Sequence, residues 1–448
     1  MDVMLLSRIQ FAVTAIFHFI FPCLTIGLAW LNVVFLGRYL KTRLEEDKRL
    51  AYFWINLFAI TFAMGVASGL VMVFQFGTNW ADYARYVGDI FGPPLAAEAI
   101  LAFFFEATFL GVLIWGRNRV QPGLYWLSSL FVALGATLSA FWIIAANSWQ
   151  QTPAGYTIVD GRPQLVDFFA AVFNPSTTIR YLHTVDACII AGSVFVVGIS
   201  AWFLLNKPEH RNFALNSFRL AIMTFFVAAL LQVAFGHFHS LQVAETQPAK
   251  LAAFEGLFQT ETEVPLLLFG IPNVEAEKTS LAIGIPKLLS YLVSGDTKGA
   301  VMGLNAFPKD EWPPILLSFY SYRIMLALAG YLLLISLVGL YLYKREKLDC
   351  PFFLKLLMIS IPFGVIAAEF GWMSAEVGRQ PWVVYNLLRT SDAASFNVPA
   401  VQVLLSILIF VALFAVLLTT YFFLIKRRLR QGPGEFTFVD KNGRGFDY

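Results

Sequence analysis

Long apolar runs with few charges alternate with more polar connections along this chain. Apolar stretches at 9–37, 52–78, 94–116, 124–147, 184–205, 217–235, 315–342, 354–378 and 400–425 come close to or exceed the length of about 20 residues that a helix needs to cross a bilayer core. They predict an all-α integral membrane protein with nine transmembrane helices. The first run is not a secretion signal: Asp2 and a lone Arg8 precede it, it continues too long, and no small-residue cleavage site follows. Self-similarity at solenoid periods is missing, which excludes a repeat architecture.

Basic residues mark alternate connections, and that alternation predicts an orientation. One set carries Arg38, Lys41, Arg43, Lys48 and Arg49, then Arg117 and Arg119, then Lys207, Arg211 and Arg219. Lys344, Arg345, Lys347 and Lys355 continue it, and Lys426, Arg427, Arg428 and Arg430 end it. The other set is poorer per residue although much longer. The N-terminus is therefore expected outside and the C-terminus in the cytoplasm. The longest connection, 236–314 between helices 6 and 7, is then a large extracytoplasmic loop, and its length marks it as folded and functional. The chain divides into 1–235 (helices 1–6), this loop, 315–430 (helices 7–9) and a cytoplasmic tail, 431–448.

Composition narrows the class without altering that layout. Hydrophobic residues make up 58% and charged residues 14% of the chain, against roughly 25% charged in a soluble domain. A formal net charge of +3 is too small to argue for nucleic acid. Cys23, Cys188 and Cys350 show no CxxC or CxxCH spacing, so disulfides, structural zinc and c-type haem attachment are not expected.

Ionisable residues at membrane depth are costly and mark function. They are few here: His18 on the first run, Glu98 and Glu106 on the third, His183 opening the fifth, Arg323 with Met325 on the seventh, and Glu369, Glu376 and Arg379 on the eighth. Most map to the outer half. His183 and Met325 sit at similar levels, and imidazole opposite thioether is a low-spin haem pair; His18 and Glu98 are two further candidate axial ligands. Glu106 lies eight residues below Glu98, about 12 Å by helix rise. Plainer roles stand beside these: a Met on an apolar helix fills a core, a membrane His can bond a neighbouring helix, and buried carboxylates also serve ion-coupled transporters. His210 reads as solvated, and His237 and His239 as surface residues of the loop.

Six blocks carry a resemblance: SRIQFAVTAIFHFIFPCLTIGL, GPPLAAEAILAFFFEATFLG, NSWQQTPAG, QPAKLAAFEG, SFYSYRIM and GWMSAEVGRQPW. Together and in this order, from the first span to about residue 390, they resemble subunit I of the cytochrome bd quinol oxidases. The resemblance implies three haems: a low-spin haem b on His183 and Met325 with Arg323 beside it, and a high-spin pair, haem b and the chlorin haem d, on His18 and Glu98, not assigned one to the other. It implies a proton route through Glu106, an acid and base at Glu376 and Arg379 beside the haem propionates, and Trp372 packed against a porphyrin. Lys250 and Glu255 match the quinol positions of the loop, which is of the short kind. His237, in GHFHS, departs from the acidic residue expected after Gly, and an imidazole there could accept a proton.

The implied activity is electrogenic without pumping: membrane quinol is oxidised outside and dioxygen is reduced to water with cytoplasmic protons. The implied setting is the bacterial plasma membrane, with a second multi-span subunit and a small single-span one as partners. Competing classes fit less well. A secondary transporter calls for repeats and midplane carboxylates. A haem–copper oxidase needs more His than the 5 present. A haem b electron carrier has no use for His18, Glu98 and Glu106.

Overall fold

The computed structural model describes residues 2–395 and 398–434, together with two short strands, Phe438–Val439 and Gly445–Phe446. Among the described residues, 9 helices are long and apolar enough to cross a membrane. They are called spans 1 to 9: Val3–Thr42, Glu45–Thr78, Ala81–Trp115, Pro122–Gln151, Thr177–Asn206, Pro208–Thr246, Ile315–Lys344, Pro351–Val377 and Ala400–Gln431. Helix is the form such segments must take, because lipid offers no partner to a free backbone N–H or C=O.

Spans 5 and 1 form the centre of the bundle, with 78% and 67% of their most apolar window buried, against 11% for span 9. Small residues let the two central helices touch backbone to backbone. A Cβ placed on Gly27 of span 1 would lie 2.2 Å from the Cys188 carbonyl oxygen and 2.9 Å from the Gly192 Cα. Between membrane helices, close packing of this kind replaces the hydrophobic drive that lipid removes. Span 8 joins the same centre where Gly364 meets Ala191 and Gly198 meets Ile361.

The helices outrun the apolar stretches. Span 6 continues helically to Thr246, so His237 and His239, expected in the loop, stand on a helix and the connection is 247–314. Hydropathy marks where lipid ends, not where a helix ends, and nothing after Gly236 stops this one before Pro248. Span 3 starts at Ala81, well before 94, and after Pro93 and Pro94 it relaxes into a π-helical stretch, Glu98–Phe103. Proline deprives a helix interior of a donor, and single π turns often accompany functional sites. Span 8 breaks between Pro351–Ile359 and Phe363–Val377.

The connections are not purely helical. Short antiparallel pairs join Tyr156–Val159 to Arg162–Leu165, Leu266–Asn273 to Lys278–Ile285, and Trp382–Val384 to Leu388–Arg389. The 247–314 connection opens with a short helix, Pro248–Glu255, capped by Gly256 at φ 61°. The tail expected at 431–448 lies mostly outside the described residues.

Candidate functional site

Most of the candidate residues meet at the end of the bundle that carries the 247–314 connection, the loop end. Glu376, on the last turn of span 8, pairs with Arg379 and stands 4.0 Å from Arg180 of span 5. Its carboxylate also accepts from Asn147 Nδ2 at 3.1 Å and Gln151 Nε2 at 3.3 Å, both on span 4. Arg180 is buried, donates to Asn147 Oδ1 at 2.6 Å, and stands over the Trp372 ring at 5.5 Å. Trp372 in turn meets Phe19, the neighbour of His18, edge to face at 5.8 Å.

The loop reaches into this cluster through Lys250. Its Nζ donates to Gln151 Oε1 at 2.6 Å and to Gln247 Oε1 at 2.5 Å. Gly378 leaves the room: a Cβ there would sit 2.9 Å from Lys250 Cγ. Burial, reinforced by Arg180 and Arg379, holds the Lys250 amine well below the usual lysine range, because charging it costs desolvation and faces like charge. Glu255, at the other end of the same short helix, is buried and paired with buried Arg323 of span 7. Burial pushes its carboxyl up, with Arg323 pulling the other way.

The other donors are presented singly. His183 of span 5 has Gln232 Nε2 at 3.5 Å from its Nε2 and the His239 ring at a centroid distance of 5.2 Å. Met325 lies against Gly371 of span 8, where a Cβ would come within 3.0 Å of the sulfur. His18 Nδ1 is 3.0 Å from Ser68 Oγ, and a Cβ on Gly69 would lie 3.1 Å from its Cε1. Glu98 opens the π-helical stretch and accepts from Ser139 Oγ at 2.7 Å. Glu106, buried on the same span, packs on Gly135, whose added Cβ would be 2.9 Å from the Glu106 Cβ. His18 thus leans on span 2, while Glu98 and Glu106 lean on span 4.

These donors fit haem. Among the described residues, no group of three or more His, Cys, Asp and Glu could hold a bare metal ion. Imidazoles with no cluster of further donors around them, a thioether and a carboxylate suit an iron that brings four equatorial ligands of its own. His183 Nδ1 is buried without a hydrogen-bond partner, as are Nε and Nη1 of both Arg323 and Arg379. Buried donors are normally satisfied, and guanidinium groups left half-bonded suit the carboxylates of a porphyrin edge. Gly69 and Gly371 let the His18 ring and the Met325 sulfur pack closely against spans 2 and 8.

Sequence reading passed over Arg180, Asn147, Gln151, Gln247 and Asp186. Arg180 and Asp186 each stand three residues from His183 on one helix, which was a usable signal. Asp186 is buried with Oδ2 unpartnered. His210 meets the Phe203 ring at 5.9 Å and covers Gly432, so it is packed rather than merely solvated.

The model of one family, described as cytochrome bd terminal oxidase subunit I, matches residues 6–433. Cytochrome bd ubiquinol oxidase subunit 1 of Bacillus subtilis is 37% identical, over 96% of this chain and 94% of the relative. Cytochrome bd-II ubiquinol oxidase subunit 1 of Escherichia coli is 35% identical, over 96% of this chain and 97% of its own length. The solved bd oxidase of Geobacillus thermodenitrificans superposes with a TM-score of 0.90 at 29% identity, covering 96% of this chain and 99% of that one. The chain belongs to the cytochrome bd terminal oxidase subunit I family. It is a haem-dependent, multi-pass membrane subunit of a quinol:oxygen oxidoreductase.

Proposed function

We propose that this subunit takes up quinol at the loop end and delivers protons to an oxygen-reducing site inside the bundle. Three haems are assigned: a low-spin haem b on His183 and Met325, and a high-spin haem b and haem d on His18 and Glu98 in an order left open. When bound, they supply electron relay and an iron that takes up dioxygen. The loop end faces outside and the Lys- and Arg-rich connections face the cytoplasm of a bacterial plasma membrane. The division into 1–235, 236–314, 315–430 and 431–448 follows from this topology, with the modification that span 6 runs into the second segment. A second multi-span subunit and a small single-span one complete the complex.

The chain's own residues account for the chemistry around those groups. Burial favours the neutral form of the Lys250 amine, which has two N–H donors and one lone pair. Gln151 and Gln247 occupy the donors, which leaves the lone pair to accept a quinol hydroxyl proton. Glu255, held by Arg323, orients the quinol from the other end of the same helix. The proton is released on the outer side. Arg379 and Arg323 offer their remaining N–H groups to haem propionates, Glu376 keeps Arg379 and Arg180 oriented, and Trp372 lies under Arg180. Glu106 takes a proton arriving from the cytoplasmic side and passes it inward. Uptake and release on opposite sides separate charge with no pumping step.

The observation that carries this reading is the direct bonding of the loop to the bundle: Lys250 to Gln151, and Gln151 to Glu376. The test is Lys250→Met in the whole complex, with quinol KM and kcat followed against pH. A raised KM, a changed pH profile and unchanged haem content are expected. An unaltered KM and profile would remove Lys250 from the quinol site.

A further inference from the structure

The hairpin Leu266–Asn273/Lys278–Ile285 has a composition foreign to a surface loop: 264–273 and 279–286 contain no charged residue. Its register, Leu267 opposite Gly284 and Pro272 opposite Thr279, gives it one face toward the protein. That face sits on span 7. A Cβ on Gly270 would lie 3.4 Å from Phe319 Cζ, and Thr279 Oγ1 donates to the Gly256 carbonyl at 2.6 Å.

The other face is apolar and bare. Leu268, Phe269, Ile271, Leu281, Ile283 and Ile285 are all exposed, Leu281 by 70% and Ile283 by 62%. A contiguous patch of this kind marks an interaction surface. Its level in the fold says with what. Phe319, which it covers, is on the second turn of span 7, where Leu316, Leu317 and Tyr320 are likewise exposed. Exposed leucines with a tyrosine at the end of a span are the outer rim of a lipid-facing surface, and the hairpin's bare face continues that rim. Its turn reverses the pattern: Glu275, Glu277 and Lys278 cluster there, and Glu277 bonds Lys309 at 2.5 Å. The charged tip thus stands in water while the body stays apolar.

We propose that this hairpin docks on the bilayer itself, burying its bare face at the boundary of headgroups and acyl chains on the loop-end leaflet. Apolar burial at that boundary drives the contact. Because Thr279 bonds the residue that caps Pro248–Glu255, the same contact holds the short helix bearing Lys250 and Glu255 at the membrane surface. The docking stands on the membrane-spanning fold and does not depend on the assignment of the quinol site.

The test places the photoreactive residue benzoylphenylalanine at Leu281 or Ile283, with Asp296 as a control, in the whole oxidase complex reconstituted into phosphatidylcholine–phosphatidylglycerol vesicles. After irradiation, mass spectrometry should find phospholipid adducts at 281 and 283 and none at 296. Cross-links to another protein chain instead would overturn the proposal in favour of a subunit contact. Absence of any adduct at 281 and 283 would overturn it in favour of a water-facing surface. The readout needs no turnover, so a failed quinol assignment would leave it unchanged.

Discussion

At the loop end each of two key carboxylates stands beside a cation: Glu376 with Arg379 and Arg180, Glu255 with Arg323. On span 3, Glu98 and Glu106 have Ser139 and Gly135 as neighbours, and among the described residues neither makes an ion pair. The two regions hold charge differently. An ion-paired carboxylate keeps its position, which suits orienting a cofactor edge and a substrate. A buried carboxyl with no cation can gain and lose a proton without dismantling a pair, which suits a relay. The π-helical stretch fits that contrast, since Glu98 opens it in a segment, 86–116, that holds no Lys or Arg to anchor a carboxylate.

The largest effect is expected at the donors themselves. Met325→Leu should abolish the low-spin haem spectrum while the other two haems remain; an unaltered spectrum would take Met325 off the ligand list. Next in size is Arg323→Gln, which strands a buried carboxylate. Removing one partner of such a pair costs about 3–5 kcal/mol, read as a lowered melting temperature of the solubilised complex. Its pH dependence has a definite sign. Burial raises Glu255 above its unfolded value, so the ionised form costs stability as pH climbs past the ordinary carboxylate range. The deficit of Arg323→Gln should be smallest at acid pH and grow as pH rises; a deficit independent of pH would mean that Glu255 is not what the arginine serves.

Glu106→Gln tests the other region. It removes the proposed proton carrier but no ion pair, so haem content and melting temperature should hold while oxygen reduction slows by about 100-fold. Normal turnover with an intact proton gradient would contradict the relay. The smallest effect is expected from Gly371→Ala, whose Cβ would press on the Met325 sulfur at 3.0 Å. The low-spin band should shift or broaden without being lost, and a wild-type band would show that Met325 is not held there.

The same contrast explains what the sequence disclosed. Spans 3, 5 and 7 were legible because lipid imposes length and apolarity, and Glu98, Glu106 and His183 stand out against that background, whereas Met325 was found only by its level opposite His183 and by the resemblance of its block. Arg180 escaped because it lies just outside the apolar run of span 5, where a cation looks like an ordinary interfacial residue. Asn147 and Gln151 belonged to a quoted block yet carry no charge, and their worth appears only when Glu376 and Lys250 arrive from other parts of the chain. The end of span 6 was missed because hydropathy falls at 236 while the backbone remains helical. The hairpin at 266–285 was hidden in a long connection where two-residue alternation is broken by its irregular register.

On the proposed reading, His18, Glu98, His183 and Met325 hold three haems of two chemical kinds. A dithionite-reduced minus oxidised spectrum of the purified complex, with the haems extracted and identified, tests it most directly. Two haems b and one red-absorbing chlorin are expected; haem b alone, or no haem, would overturn the assignment.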